Sequence, residues 1–419
     1  MADPQAQGAD SGQDQAWNLP RLIAMCLMGF TVLMSYAFSR PTVEALLTDA
    51  HGKEALPQAW LLMSIAAAAT VLLYNRFSQG RSPLKVFGTI TAITLVVLVL
   101  LKGLYAAGVP GATYGLFVWK DLYIVFMIEI FWTYANTVFD PKKARWAYGL
   151  FLVMGSLGGI TGNLAVKPVS EAYGAEAVLW LVVPALLLAW GVCAFITRSM
   201  KEPINTKDKE AARFGEGMRA IAGSRYMILL LLLIVTTQVA ITLIDYEYNA
   251  ALYDAYPDKD IRAGIGGQVY AAIDISALVL QVLTGPVLSS IGVPRTLLAI
   301  PLLLGGAVGF FVAIPQFLSM AFAKVASKCF DYSIFRAAKE ILYIPLTTME
   351  KTQGKAVIDI LVYRVTKGAV SLFLIGFLKL IDAPGAVMVL TLGVIAIWVV
   401  VTHFLLKAHA EREAAPTDA

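Results

Sequence analysis

The sequence predicts an all-α integral membrane protein of twelve transmembrane helices arranged as two six-helix bundles. Three observations predict it. Of 419 residues, 58% are hydrophobic and only 15% charged, with a mean hydropathy of +0.70; a soluble globular chain carries nearer a quarter charged residues. Apolar runs such as Leu95–Leu101, Met227–Val235 and Val387–Val401 recur along the whole length, and crossing hydrocarbon takes about 20 residues per helix. One long polar interruption, Arg198–Ser224, separates six spans from six.

Glycines, prolines and charge clusters bound the spans at 19–39, 57–75, 84–106, 113–139, 145–167 and 177–197, then 225–249, 264–290, 295–314, 316–346, 355–380 and 384–406. The expected organisation is a tail over 1–18, a first bundle over 19–197, a linker over 198–224, a second bundle over 225–406 and a tail over 407–419. The first 16 residues are polar and acidic and lack the basic cluster of a signal peptide. They read as a disordered cytoplasmic tail. With the linker in the cytoplasm, about 19 Lys and Arg fall in cytoplasmic loops and ends against about 7 opposite, as the positive-inside rule requires. Both termini are then cytoplasmic.

The halves echo one another. Phe77–Ser78–Gln79–Gly80 with Pro83 and Lys85 follows span two, and Leu288–Ser289–Ser290 with Gly292, Pro294 and Arg295 follows span eight. Charged turns also follow spans four (Asp140–Arg145) and ten (Glu350–Lys355). Internal similarity between two six-span bundles marks the major facilitator architecture, whose binding site lies near the midplane between the halves. Twelve spans fit other transporter folds as well.

In that architecture, spans one, four, seven and ten line the cavity, an analogy of fold. Span one ends at Arg40, span four carries Lys120, Asp121 and Glu129, and span seven carries Asp245 and Glu247. Span ten holds Lys324, Lys328, Asp331, Arg336, Lys339 and Glu340, while Asp274 lies in span eight and Asp359, Arg364 and Lys367 in span eleven. A charge at mid-bilayer costs about 2.5–3.5 kcal/mol or more, so such groups face a partner or a wet path. Four of the six in span ten are cations, which points to a small anionic cargo.

Lys324, Lys328 and Asp331 follow i, i+4, i+7 spacing and share a helical face, with Lys339 near it two turns on. Lysine offers a point charge and arginine a bidentate fork to phosphate or carboxylate. Pairing between helices is the competing role for each. It is favoured for Arg336 with Glu340 and for Asp359 with Lys355, both spaced i, i+4. Lys324, Lys328 and Arg364 are the better ligand candidates.

Other features are structural. Gly155–Ser156–Leu157–Gly158–Gly159–Ile160–Thr161–Gly162–Asn163 has overlapping small-xxx-small spacing that lets span five pack closely. Cys26, Cys193 and Cys329 lie in apolar segments and form neither a disulfide framework nor a metal site. Gly354–Lys355–Ala356 lacks the upstream glycine and the hydroxyl of a P-loop. No enzymatic activity, cofactor or nucleic-acid partner is expected.

Two segments resemble a known family. Phe131–Trp132–Thr133–Tyr134–Ala135–Asn136 with Gly155–Ser156 is similar to the F-W-x-F-A-N region of the ATP/ADP translocases of plastids and intracellular bacteria. Tyr332–Ser333–Ile334–Phe335, Ala338–Lys339–Glu340, Tyr343–Ile344–Pro345–Leu346, Gly354–Lys355–Ala356–Val357–Ile358–Asp359, Arg364 and Lys367 resemble the same family's longer signature. The resemblance implies a major-facilitator-like fold and antiport of nucleotides or related phosphorylated anions across a bacterial inner membrane. It also implies that Asp121 and Asp245 are the family's acids of spans four and seven, each Asp in place of Glu, and that Arg40 is the arginine ending span one. Val43 and Asn249 stand where the family has lysines, which leaves the cargo open between ATP/ADP and another anion.

The expected binding set is therefore Lys324, Lys328, Lys339, Arg364, Lys367, Asp121, Asp245 and Arg40. Glu129, Asp274, Asp331, Glu340, Asp359, Lys355 and Arg145 are expected to gate or couple, with charges near Lys142–Arg145 and Glu350–Lys355 closing the cytoplasmic side. A monomer embedded in the bilayer is expected. The alternative is a proton-coupled carrier of another metabolite or drug, in which Glu129 and Asp274 take the proton, since a lone carboxylate in low dielectric favours its neutral form. A membrane scaffold or receptor is the third reading.

Overall fold

Every backbone N–H and C=O in hydrocarbon must be satisfied within the protein, so long apolar runs in a membrane chain become helices. A computed structural model describes residues 19–78, 81–139, 144–199, 214–347, 349–358, 363–381 and 385–414, and its regular elements are all helical. They are α1 (Leu19–His51), α2 (Ala55–Ser78), α3 (Pro83–Ala106), α4 (Ala112–Val138) and α5 (Ala144–Tyr173). Next come α6 (Ala175–Val178), running through a 3-10 turn into α7 (Val182–Ser199), then α8 (Phe214–Ala222), α9 (Arg225–Ala255), α10 (Lys259–Ile291) and α11 (Val293–Ala313). The chain ends with α12 (Phe317–Tyr332), α13 (Ile334–Leu342), α14 (Lys355–Val357), α15 (Tyr363–Leu380) and α16 (Ala386–Ala414). Among the described residues, eight helices are long and apolar enough to cross a membrane. Helices α4, α12 and α15, which carry intramembrane charge, are not among the eight.

Span ten departs from the expected continuous helix over 316–346. Ser333 leaves helical geometry at φ −124°, ψ −100°, and its Oγ donates to the Cys329 carbonyl. The hydroxyl thereby satisfies one carbonyl that the interrupted ladder leaves open. Beyond the break, α13 gives way to a turn and to a wide π-turn over Glu350–Gly354.

Packing starts from α1, which lies against α4, α5, α7 and α10; α5 also packs on α10, α2 on α15, and α9 on α12 and α16. The glycine run of α5 explains the closest approach. A Cβ on Gly158 would collide with the Phe30 backbone, and one on Gly162 would come within 2.7 Å of the Met34 carbonyl and of Ala37 Cβ. Opposite, Gly267 of α10 meets the Asn163 carbonyl, 2.6 Å from where its Cβ would sit. All three cysteines are buried, and none of them is in a disulfide.

Charged groups gather at both ends of the helices. At the end nearest the linker, Arg412 holds Glu350 with two bonds of 2.9 and 3.0 Å and donates to Ser224 Oγ at 2.9 Å. Burial opposes ionisation of Glu350, yet the bonds from Arg412, Thr347 and Ser224 bring its carboxyl down to about 2. Glu350, expected to face Lys142–Arg145 across a gate, is thus held by the last helix of its own half. Phe131, Trp132, Phe139, Tyr148 and Phe151 form an edge-to-face cluster there, with ring centroids 5.4–5.6 Å apart, and Tyr148 donates to Asn136 Oδ1 at 2.7 Å. The Phe131–Asn136 motif therefore fastens α4 to α5.

The far end joins the two halves of the chain. Lys53 pairs with Asp254 at 2.6 Å, and Lys259 pairs with Glu176. Arg262, only 2% exposed, reaches Asp49 Oδ1 at 3.3 Å and the Ala45 carbonyl at 3.4 Å. The Ala175 amide donates to Asp260 at 2.6 Å and Ser170 Oγ to the Asp260 carbonyl at 2.8 Å. Sequence reading did not single out these groups.

Candidate anion-binding site

Between the two ends, α1, α4, α9, α10, α12 and α15 bring their charges together. Tyr36, Arg40 and Glu44 are spaced one helical turn apart on α1, so they face the same way. Lys120 and Asp121 lie in the first half of α4. Lys120 is 1% exposed and lies 2.8 Å from Asp121 and 3.9 Å from Glu44. Tyr36 donates to Asp121 at 3.1 Å. Arg40 lies 3.9 Å from Glu44 and places its guanidinium 3.9 Å from the Tyr270 ring centre. Cation–π contacts of this kind contribute about 2 kcal/mol or more once water is excluded.

The second half contributes a tighter arrangement. Asp245 of α9 is clasped by Lys324 at 2.6 Å and Lys328 at 2.9 Å, both from α12. Lys324, Lys328 and Asp331 are all buried, at 1%, 8% and 8% exposure, so the face their spacing defines turns inward. Tyr270 of α10 ties the halves together: its hydroxyl donates to Glu44 at 2.7 Å, and its ring faces both Arg40 and Lys324, the latter at 5.5 Å. Lys367 of α15 acts electrostatically on Asp121 and Asp245 alike and sits 5.2 Å from the Trp60 ring centre. Five cations (Arg40, Lys120, Lys324, Lys328, Lys367) thus share a buried region with four acids (Glu44, Asp121, Asp245, Asp331).

Chemically, the cations of this cluster are the groups able to hold an anion, and carboxylates lie beside them. Buried charges must be paired, and here Asp245 neutralises the two lysines of α12. A cavity of about 1090 Å³ lies elsewhere, between the far ends of α9, α11, α12, α15 and α16.

Several expected residues fall outside this cluster. Lys339 lies beyond the Ser333 break, near the Tyr343 ring at 5.9 Å, because the break redirects the helix after Tyr332. Glu340 pairs with Lys355 at 2.6 Å, and both are partly exposed. Glu129 is exposed on α4. Asp274 sits against α5, where Asn163 donates to it at 2.9 Å. Asp359 and the side chains of Arg145 and Arg364 lie outside the described residues. Glu44, Tyr36, Tyr270 and Lys120 had not been assigned to the site. The i, i+4, i+8 run of Tyr36, Arg40 and Glu44 was a local signal for two of them; Tyr270 had none.

Comparison with known proteins gives one answer in sequence and a compatible one in fold. The chain is 25% identical over 443 aligned residues to "ADP,ATP carrier protein 1" of Chlamydia trachomatis, covering 88% of this chain and 84% of that protein. It is 23% identical to the chloroplastic "ADP,ATP carrier protein 2" of Arabidopsis thaliana, covering 91% and 73%. Among solved structures, the nucleoside transporter NupG superposes with a TM-score of 0.67 at 11% identity, over 93% of this chain and 99% of that one. A bacterial homologue of the iron transporter ferroportin scores 0.63 in its inward-facing state, over 92% and 98%, and 0.56 in its outward-facing state, over 93% and 99%. These neighbours share a major-facilitator-like fold. The sequence profile of the TLC ATP/ADP transporter family matches residues 114–409, and the chain belongs to that family.

Proposed function

We propose that this protein is an alternating-access antiporter of nucleotides or related phosphorylated anions. It would cross a bacterial inner membrane twelve times in two six-helix bundles, with both termini cytoplasmic. The observation that carries the reading is the double-lysine clasp on Asp245, facing Lys120, Asp121 and Lys367 in a chain of an ATP/ADP transporter family. In the empty carrier, carboxylates neutralise the cations. In the loaded carrier, phosphate oxygens take their place and the acids are released to rearrange the helices.

Ion pairs between the halves at the far end support a state closed there and open toward the linker. The higher score against the inward-facing neighbour agrees with it. Lys324, Lys328, Lys367 and Arg40 are the proposed phosphate contacts, with Arg364 on the same helix as Lys367. Exchange of cargoes differing by one charge draws about 2.3 kcal/mol per 100 mV from the membrane potential, so it needs no proton gradient.

The test is uptake of labelled ADP into proteoliposomes loaded with ATP. Lys328→Gln should reduce uptake by at least about tenfold, the loss expected when roughly 1.4 kcal/mol of charge-assisted binding is removed. Uptake at the wild-type rate would reject the assignment.

A further inference from the structure

We propose that Asp274 and Asn163 form a proton-binding site in the seam where α10 crosses α5. Asn163 Nδ2 donates to Asp274 Oδ2 at 2.9 Å. Asn163 is 4% exposed, and its own Oδ1 is buried with no hydrogen-bond partner. A buried acceptor left without a donor is destabilising. An ionised carboxylate is acceptor-only and cannot relieve that deficit, whereas a protonated one carries an O–H donor. With a proton on Asp274, the acid donates to Asn163 Oδ1 while the amide keeps donating to Asp274 Oδ2. Two planar groups then close a pair of parallel hydrogen bonds across the seam.

The surroundings fit a neutral acid. Asp274 makes no ion pair among the described residues, and it rests against Gly159, where a Cβ would stand 2.7 Å from its Oδ2. Arg40 of α1 acts on it electrostatically, but that guanidinium is engaged by Glu44 and the Tyr270 ring. From the other packed helices, Lys324 and Lys328 of α12 are turned to Asp245 of α9. Arg336 of α13 and Arg295 of α11 are exposed. Lys167 of α5 faces Glu171 at 3.9 Å, and Glu176 of α6 pairs with Lys259 at the far end.

Arg40 is the one described charge that favours loss of the proton. An anion drawn to Arg40 weakens that pull, so anion and proton binding support each other, and the linkage runs equally in both directions. The proton site stands on the seam geometry alone; its link to cargo rests on the function proposed above.

Infrared titration of the purified full-length protein without ligand, from about pH 5 to about pH 8, tests the site. A protonated-carboxyl stretching band should fade as pH rises, and Asp274→Asn should abolish it. Because the amide also closes a two-bond pair with Asn163, the variant should unfold at the wild-type temperature or above it at neutral pH. Adding ADP should strengthen the wild-type band at fixed pH. An identical band in wild type and variant would overturn the proposal, as would a lower unfolding temperature for Asp274→Asn. A band that the variant removes, in a protein that does not bind ADP, supports the proton site and counts against the nucleotide reading instead.

Discussion

Asp245 holds two lysines with one carboxylate, and that imbalance sets what the residue can do. Removing one partner of a buried pair costs about 3–5 kcal/mol because the other charge is stranded. Asp245→Asn strands two. The variant should unfold at a lower temperature in detergent, and millimolar ADP should raise that temperature by more than it does for wild type, since phosphate supplies the missing counter-charge. Equal shifts in both proteins, read by differential scanning fluorimetry, would refute a carboxylate that occupies the phosphate seat. At this scale, the inward face of Lys324, Lys328 and Asp331 was legible because helical periodicity is local. Tyr270 was not, because its bond to Glu44 joins residues 226 positions apart.

Among the elements, α5 makes the most specific commitment. Its glycines form the expected packing surface, and Gly158 and Gly162 face backbone atoms that cannot move aside. Gly158→Ala should push α1 from α5, displacing Tyr36, Arg40 and Glu44, with a loss of stability and of ADP exchange together. Gly149→Ala, where no atom lies within 4 Å of the added carbon, should be neutral or stabilising by up to about 1 kcal/mol. A Gly158→Ala protein with wild-type exchange and unfolding temperature would refute the close contact. Span ten shows the opposite case. Its apolar pattern continues through Ser333, but the backbone leaves helical geometry there, and so Lys339 leaves the face that its spacing suggested.

For the whole molecule, the far-end network is the proposed latch on one side of the site. Arg262 is the buried member, held by Asp49 and by the Ala45, Tyr256 and Pro257 carbonyls. Its pair with Asp49, whose side chain is 41% exposed, is screened by solvent, so the carbonyl contacts matter more. Arg262→Ala should favour opening at this end and slow exchange. A single cysteine introduced at Thr48 should then react faster with an impermeant thiol reagent applied from the far side. Labelling unchanged by Arg262→Ala would show that the network is not a gate.

Composition, run length and charge placement by themselves determined a helical membrane protein with inward-facing basic residues, because a low-dielectric solvent makes each span declare itself in its own residues. The resemblance in spans four, five, ten and eleven then pointed to the family. Only tertiary structure decided which acid answers which base, that Tyr270 bridges the halves, and which charges pair across the far end. Those outcomes depend on distances between helices far apart in sequence, and a pair of charges leaves no mark in the chain until folding brings it within a few ångströms.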